Sequence, residues 1–366
     1  MIPVTKPDIP PLDEYAGYMK KIWVSRWLTN NGEFAQLLET RLAEYLNVRN
    51  LSLISNGTSA LQIALKALAI KGEVITTPFT FAATTNVILW ENLAPVFADI
   101  DGETFNIDPA DVERKITKKT SAILAVHVYG NPCYMEELQE IAMKHDLKLI
   151  YDAAHAFGVE YGGQTILSYG NASILSFHAT KIFNTIEGGA IVARDDDLLE
   201  QINLMKNHGI RSEEEVVLPG INAKMNEFQA AMGLCNLKYV KKNIQKRKLL
   251  HEYYMKHLQS IVGLKFQKMI SSKHNYGYMP VCFESIEMRN KVYAGLLAGG
   301  IKARKYFYPL TANSVYLRNE NLVKKFGLKI ADDIASGVLC LPLYSDLGIA
   351  DVDKITGIVK AAIKTM

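Results

Sequence analysis

Lys181 stands in the phrase SFHATKIFNTIEGGAIVA, after an apolar run and Ser176, and before a loop ending in Gly188-Gly189. A lysine partly withdrawn from water beside a cationic ring loses basicity and can form a Schiff base with a carbonyl. The competing reading is a solvated lysine in a polar loop. Asp152 and His155 close another apolar run, LKLIYDAAHAFG. A carboxylate following so apolar a strand is partly desolvated, which raises its pKa unless a cation or hydrogen-bond donors compensate; a protonated pyridine nitrogen is one such partner. The alternative makes Asp152 a helix N-cap and His155 a satisfied core histidine. A third phrase, NGTSAL, covers Asn56 to Leu61. A phosphate fits there, because a helix N-terminus presents unpaired N–H groups, Gly57 lets the backbone approach closely, and Thr58 and Ser59 add hydroxyl donors. The same residues also make a good turn and N-cap.

These groups need elements that bring strand ends together. From residue 33 to about 194, short apolar runs such as LSLIS, EVITT, AILAVHV and LKLIYD alternate with amphipathic segments. Nearly continuous apolar runs are what strands covered by helices on both faces require, so an α/β domain with a mostly parallel central sheet is predicted. Ligands of such sheets gather at the carboxyl ends of the strands, where Asp152 and Ser176 fall. One long helical pattern from about Met225 to Ile261 then links two domains, placed at 1–240 and 241–366. The remainder reads as a smaller α+β C-terminal domain with a helix over 286–298 and a last one near 351–364.

The motifs NGTSAL, TTPFTFAATTN, YDAAHAFG and SFHATK with EGG downstream occur in that order. So arranged, the series resembles the sugar aminotransferases of the DegT/DnrJ type, a branch of the fold-type I pyridoxal-phosphate (PLP) enzymes. The resemblance extends over nearly the whole chain, through HVYGNP at 127–132, NHG at 207–209, GINAKMNEFQAAMG at 220–233 and ARKYFYP at 303–309. It implies that Lys181 carries the cofactor, that Asp152 meets its pyridine nitrogen and that Phe81 lies against its ring. Gly57, Thr58 and Ser176 would hold the phosphate, joined by Asn222 from a neighbouring subunit, which implies a homodimer with shared active sites. Two positions depart from the family pattern. His155 stands where many members have a glutamine at the ring hydroxyl, and Lys224 where arginine is commoner, which gives up bidentate geometry toward an anion.

The resemblance further implies transfer of an amino group from L-glutamate to a nucleotide-linked keto sugar. YDAAHAFG with ARKYFYP is most similar to members that aminate C4 of a dTDP-4-keto-6-deoxy sugar, giving dTDP-4-amino-4,6-dideoxyglucose, a reaction of deoxyamino sugar and O-antigen (lipopolysaccharide) biosynthesis. Amination at C3 is the alternative, and a PLP-dependent sugar dehydratase or lyase of the same fold is another. In the sugar dehydratases a histidine replaces the cofactor lysine, whereas Lys181 is present here. Lys224, Arg304 and Lys305 are candidates for the substrate diphosphate, each with an alternative as a solvated surface charge.

Composition excludes other classes. Of 366 residues, 49% are hydrophobic and 22% charged, and the formal charge is +3, so an ordered globular chain without a nucleic-acid-binding surface is expected. The basic stretch YVKKNIQKRK, with Leu237, Val240, Ile244 and Leu249 at helical spacing, reads as a solvated helix face. Four scattered cysteines form no C-x-x-C pair, which argues against a metal site or disulfide framework. No G-x-G-x-x-G follows the first strand, which disfavours a dinucleotide oxidoreductase. No apolar run approaches a membrane span and MIPVTKPDIPPLDEY lacks signal-peptide order, so a cytoplasmic protein with no membrane role is expected.

Overall fold

The apolar runs between residues 51 and 193 become the strands of one sheet. The computed structural model describes residues 1–317 and 327–364. Its strands are β1 (Leu51–Ile54), β2 (Glu73–Thr76), β3 (Ala94–Phe97), β4 (Thr120–Val126), β5 (Lys148–Asp152), β6 (Ala172–Ser176) and β7 (Gly189–Ala193), in the order β1-β7-β6-β5-β4-β2-β3. Pairing is parallel from β6 across to β3. Only β7 is antiparallel to its neighbours β1 and β6, so β1 runs with the majority. The mostly parallel sheet is therefore present, and the carboxyl ends of β1, β2, β4, β5 and β6 share one edge.

Helices bury both faces. One face packs on α1 (Leu12–Ser25), α2 (Glu33–Leu46), α5 (Pro109–Lys115), α6 (Met135–Lys144) and α8 (Glu227–Leu237), through residues such as Leu38, Leu42, Leu138 and Leu234. The other packs on α3 (Gly57–Ala67), α4 (Ala82–Trp90) and α7 (Asp196–Met205), through Leu61, Ile63, Val87 and Ile202. Local chemistry starts α3: the Asn56 side chain accepts from the Ser59 N–H at 2.8 Å, a cap contributing about 1 kcal/mol.

The helical pattern after Met225 is two helices, α8 and α9 (Val240–Leu258). Between them Lys238 N–H bonds Cys235 O and Tyr239 N–H bonds Asn236 O. These i→i−3 bonds tighten the chain between the two helices. Along α9 the buried residues Val240, Arg247, Leu250, Tyr254 and Leu258 keep one face, and Leu249 falls on the opposite one. Leu249, placed on the buried side by its spacing, is 65% exposed, whereas Leu250 and Arg247 are buried. Lys241, Lys242 and Lys248 are exposed as a solvated face should be, but Arg247 is not part of that face.

A second sheet, β8 (Leu264–Lys265), β9 (Met279–Phe283) and β10 (Val338–Leu341), is antiparallel. Together with α9, α10 (Ile286–Ala298) and α12 (Ile349–Lys364) it encloses its own core around Leu250, Val281, Val292, Leu339 and Val352, while α11 (Lys329–Gly337) packs on it from the side of the large sheet. A mixed cluster of Phe79, Phe105, Tyr129, Tyr306, Phe307 and Cys340 joins the two sheets beside the strand ends. Among the described residues no helix is long and apolar enough to cross a membrane.

Candidate active site

Asp152 is the last residue of β5 and is only 6% exposed. Its Oδ1 accepts from the Ala154 N–H at 3.0 Å, and its Oδ2 accepts from Thr84 Oγ1 at 2.8 Å. Thr84 lies in the first turn of α4, also 2.8 Å from Thr80 Oγ1. Its single proton is spent on Asp152, so Thr80 must be the donor in that pair. Burial pushes the Asp152 carboxyl up from its ordinary range; the Ala154 N–H, the Thr84 hydroxyl and the charge of Lys181 work against the rise. A buried carboxylate held by two neutral donors is suited to a cation beside it.

Lys181 is half-buried, in a turn held by its N–H to His178 O at 2.8 Å. Burial depresses its ammonium to about 8, Asp152 opposes this, and Arg304 adds to it. His155 receives the Tyr129 N–H on Nδ1 at 3.2 Å, so the neutral ring carries its proton on Nε2 and can donate from there. Burial, and then the charges of Lys181 and Arg304, hold His155 well below the usual histidine range and keep it neutral near pH 7. Aromatic rings box it in: Tyr278 at 4.5 Å and Phe307 at 5.7 Å, the latter nearly coplanar in orientation at 4°.

At the phosphate end, β1 delivers Gly57 and β6 delivers Ser176. A Cβ on Gly57 would lie 2.9 Å from Ser176 Cβ, and one on Gly189 would lie 2.8 Å from the Asn56 carbonyl carbon. Glycine at both positions lets β7 and the start of α3 close onto Ser176. The N–H groups of Gly57 and Thr58 have no partner among the described residues, and Thr58 is exposed beside them. Unpaired donors at a helix N-terminus suit a phosphate. Phe81, at the N-cap position of α4, is 51% exposed, unlike the wholly buried Phe79, and offers a free face to a planar ring. Unpaired N–H donors, a free aromatic face, a buried carboxylate, a neutral imidazole donor and a lysine of lowered pKa all fit PLP.

The other candidates separate into two places. Arg304 lines a small cavity of about 50 Å³ with Lys181, Tyr278 and Tyr306, its guanidinium 4.0 Å from the centre of the Tyr306 ring. Lys305 points elsewhere, donating to Asn290 Oδ1 at 2.9 Å and lying 4.7 Å from the Tyr293 ring centre. Asn222 and Lys224 do not line that cavity. They border an open cleft of about 750 Å³ with Glu39, Lys206 and His208. Burial lowers the pKa of Lys224.

Several groups here carried no local signal. Thr84 lies inside the motif TTPFTFAATTN, but its contact with Asp152 spans 68 residues and arises only from strand order. Tyr278 and Tyr306 look like ordinary core aromatics until the second sheet folds against the first.

The model of the DegT/DnrJ/EryC1/StrS aminotransferase family matches residues 13–360. An Escherichia coli dTDP-4-amino-4,6-dideoxy-D-glucose transaminase is 46% identical over 359 residues, covering 97% of each chain. The crystal structure of DesI in the presence of its TDP-sugar product superposes with a TM-score of 0.93 at 33% identity, over 100% of this chain and 93% of that one. NtdA from Bacillus subtilis, solved with the cofactor PMP bound, gives 0.90 at 28% identity, over 96% of this chain and 82% of that one. The chain therefore belongs to the DegT/DnrJ/EryC1/StrS family and is a PLP-dependent sugar aminotransferase.

Proposed function

We propose that the protein transfers the amino group of L-glutamate to dTDP-4-keto-6-deoxyglucose, forming dTDP-4-amino-4,6-dideoxyglucose. The observation that carries this reading is the proximity of Lys181 to the buried Asp152 and His155, near enough for their charges to act on one another, on a chain 46% identical to a transaminase of that name. When bound, PLP supplies a reactive carbonyl and an electron sink through which an amino group is taken from one substrate and given to the other. Lys181 would hold the cofactor, and its free amine would move the proton of the substrate α-carbon. A pKa of about 8 leaves about a tenth of that amine uncharged at pH 7. Asp152 would keep a proton on the ring nitrogen, His155 would donate from Nε2 to the ring hydroxyl, and Phe81 would cover the ring face. Gly57, Thr58 and Ser176 hold the phosphate by N–H and hydroxyl donors. Arg304, within the Lys181 cavity, and Lys224 take the substrate diphosphate or carboxylate.

Asn222 is exposed on a cleft that excludes Lys181, an arrangement that favours service to a second subunit's phosphate. The proposed assembly is accordingly a cytoplasmic homodimer with shared sites, each subunit divided near residue 240, acting in deoxyamino sugar supply for O-antigen. The reaction is tested by offering glutamate with the 4-keto and 3-keto isomers of the dTDP-6-deoxy sugar and identifying products by mass and NMR. Amination at C4 is expected. A product aminated at C3, or none from either isomer, refutes the assignment.

A further inference from the structure

Residues 1–11 bring Val4 and Thr5 to the Lys181 cavity. Pro3, Pro7, Pro10 and Pro11 stiffen this segment, because each fixes its own φ. The Ile2 N–H donates to Gly300 O and Ile2 O accepts from the Lys302 N–H, both at 2.8 Å; Val4 O accepts from the Leu343 N–H at 3.1 Å. Beyond these, Asp8 fastens three parts of the chain. Its carboxylate accepts from Arg247 Nη2 at 3.2 Å and from the Ser345 hydroxyl, and its carbonyl accepts from Asn184 Nδ2 at 2.8 Å. Asn184 lies three residues after Lys181. The Asp8–Arg247 pair is withdrawn from water, with side chains 11% and 2% exposed, and Arg247 also donates to Leu343 O at 3.0 Å.

Between these anchors, Val4 and Thr5 line the same cavity as Lys181, Arg304 and Tyr306. Among the described residues no hydrogen bond engages the Thr5 side chain. We propose that Val4 and Thr5 form one wall of the subsite for the acceptor sugar, and that Asp8 is the positioning residue holding that wall beside Lys181. The inference rests on the reaction proposed for this site. Chemistry distinguishes the two substrates: glutamate brings carboxylates that need cations, which the wall lacks, whereas a deoxy-sugar ring presents hydroxyls and a methyl group. Thr5 offers a hydroxyl to the former and Val4 an apolar surface to the latter. Arg304, across the cavity, remains for the anion.

The test uses the holoenzyme and separates the half-reactions with glutamate and with dTDP-4-keto-6-deoxyglucose. Thr5→Val keeps shape and removes only the hydroxyl. It is expected to raise KM for the keto sugar roughly five- to tenfold, the effect of one lost neutral hydrogen bond, with glutamate KM within about twofold. Asp8→Asn should raise keto-sugar KM more than it lowers kcat, and Asp8→Glu should recover part of the loss. Borohydride-reduced holoenzyme, which cannot turn over, should show the same loss of keto-sugar affinity for Thr5→Val by calorimetry. Equal changes in both half-reactions, or none in either, overturn the proposal. If Asp8→Asn does not fold, Thr5→Val alone decides. The wild type run alongside reports on the reaction itself: if it aminates no dTDP-keto sugar, both proposals fall, whereas an active wild type with an unaltered Thr5→Val sinks the wall alone.

Discussion

Replacing Thr84 by valine tests whether the charge on Asp152 is maintained by its surroundings. The substitution keeps volume and branching in a site that is wholly buried, so packing is nearly preserved. It removes the 2.8 Å hydroxyl donor to Asp152 Oδ2, leaving the Ala154 N–H on Oδ1 as the remaining neutral donor. Hydrogen bonds to a charged group contribute about 1.5–3 kcal/mol. Burial already pushes the Asp152 carboxyl upward, and loss of a donor to the anion pushes it further the same way. If Asp152 must stay ionised to hold the ring-nitrogen proton, the glutamate half-reaction slows, by up to roughly 10- to 150-fold where the whole contribution falls on the barrier. The assay is single-turnover stopped-flow absorbance with saturating glutamate. Thr84→Ser, which retains the hydroxyl, should stay within about threefold of wild type. If Thr84→Val binds cofactor and reacts at the wild-type rate, the hydroxyl does not support the Asp152 charge and the reasoning fails.

Three further outcomes are expected. Lys181→Ala should lose the visible absorbance of lysine-bound cofactor, and borohydride followed by peptide mapping of the wild type should label Lys181; a label on another lysine ends the assignment. Capture of PLP by the apoenzyme requires the uncharged amine, so its rate should rise with pH and level off near the Lys181 pKa of about 8. Arg304→Gln removes a cation that depresses this pKa, so the inflection should move upward; an inflection that stays put refutes the electrostatic coupling. Finally, mixing inactive Asn222→Asp with inactive Lys181→Ala subunits should restore activity approaching about a quarter of wild-type sites, since random exchange makes half of the two-fold dimers hybrid with one intact site each. Absence of recovery under confirmed exchange places Asn222 in its own subunit's site or in neither.

Lys181, Asp152 and the Asn56–Leu61 turn each fitted a local pattern with a local physical cause, an apolar strand followed by a polar group or by an N-cap and glycine. Each fitted a bland alternative as well, and only the order of the motifs and the family resemblance singled them out as candidates. The mostly parallel sheet was legible in the apolar runs: strands buried on both faces must be apolar throughout. What depended on distant partners was decided only in three dimensions. Arg247, expected on a solvated face, lies in the interior because its guanidinium meets Asp8, 239 residues away in sequence, and the Leu343 carbonyl. Lys305 and Arg304 are adjacent in sequence, yet their backbone places one ammonium against α10 and the other guanidinium in the Lys181 cavity. Thr84 reaches Asp152 because parallel pairing aligns β2, β4 and β5 and sets the α4 turn above the end of β5. Nothing in the composition of residues 1–10 marks Thr5 as a neighbour of Lys181. That adjacency follows from backbone bonds to segments some 300 residues away, and a hydrogen bond between main-chain groups leaves no trace in the identity of the side chains that flank it.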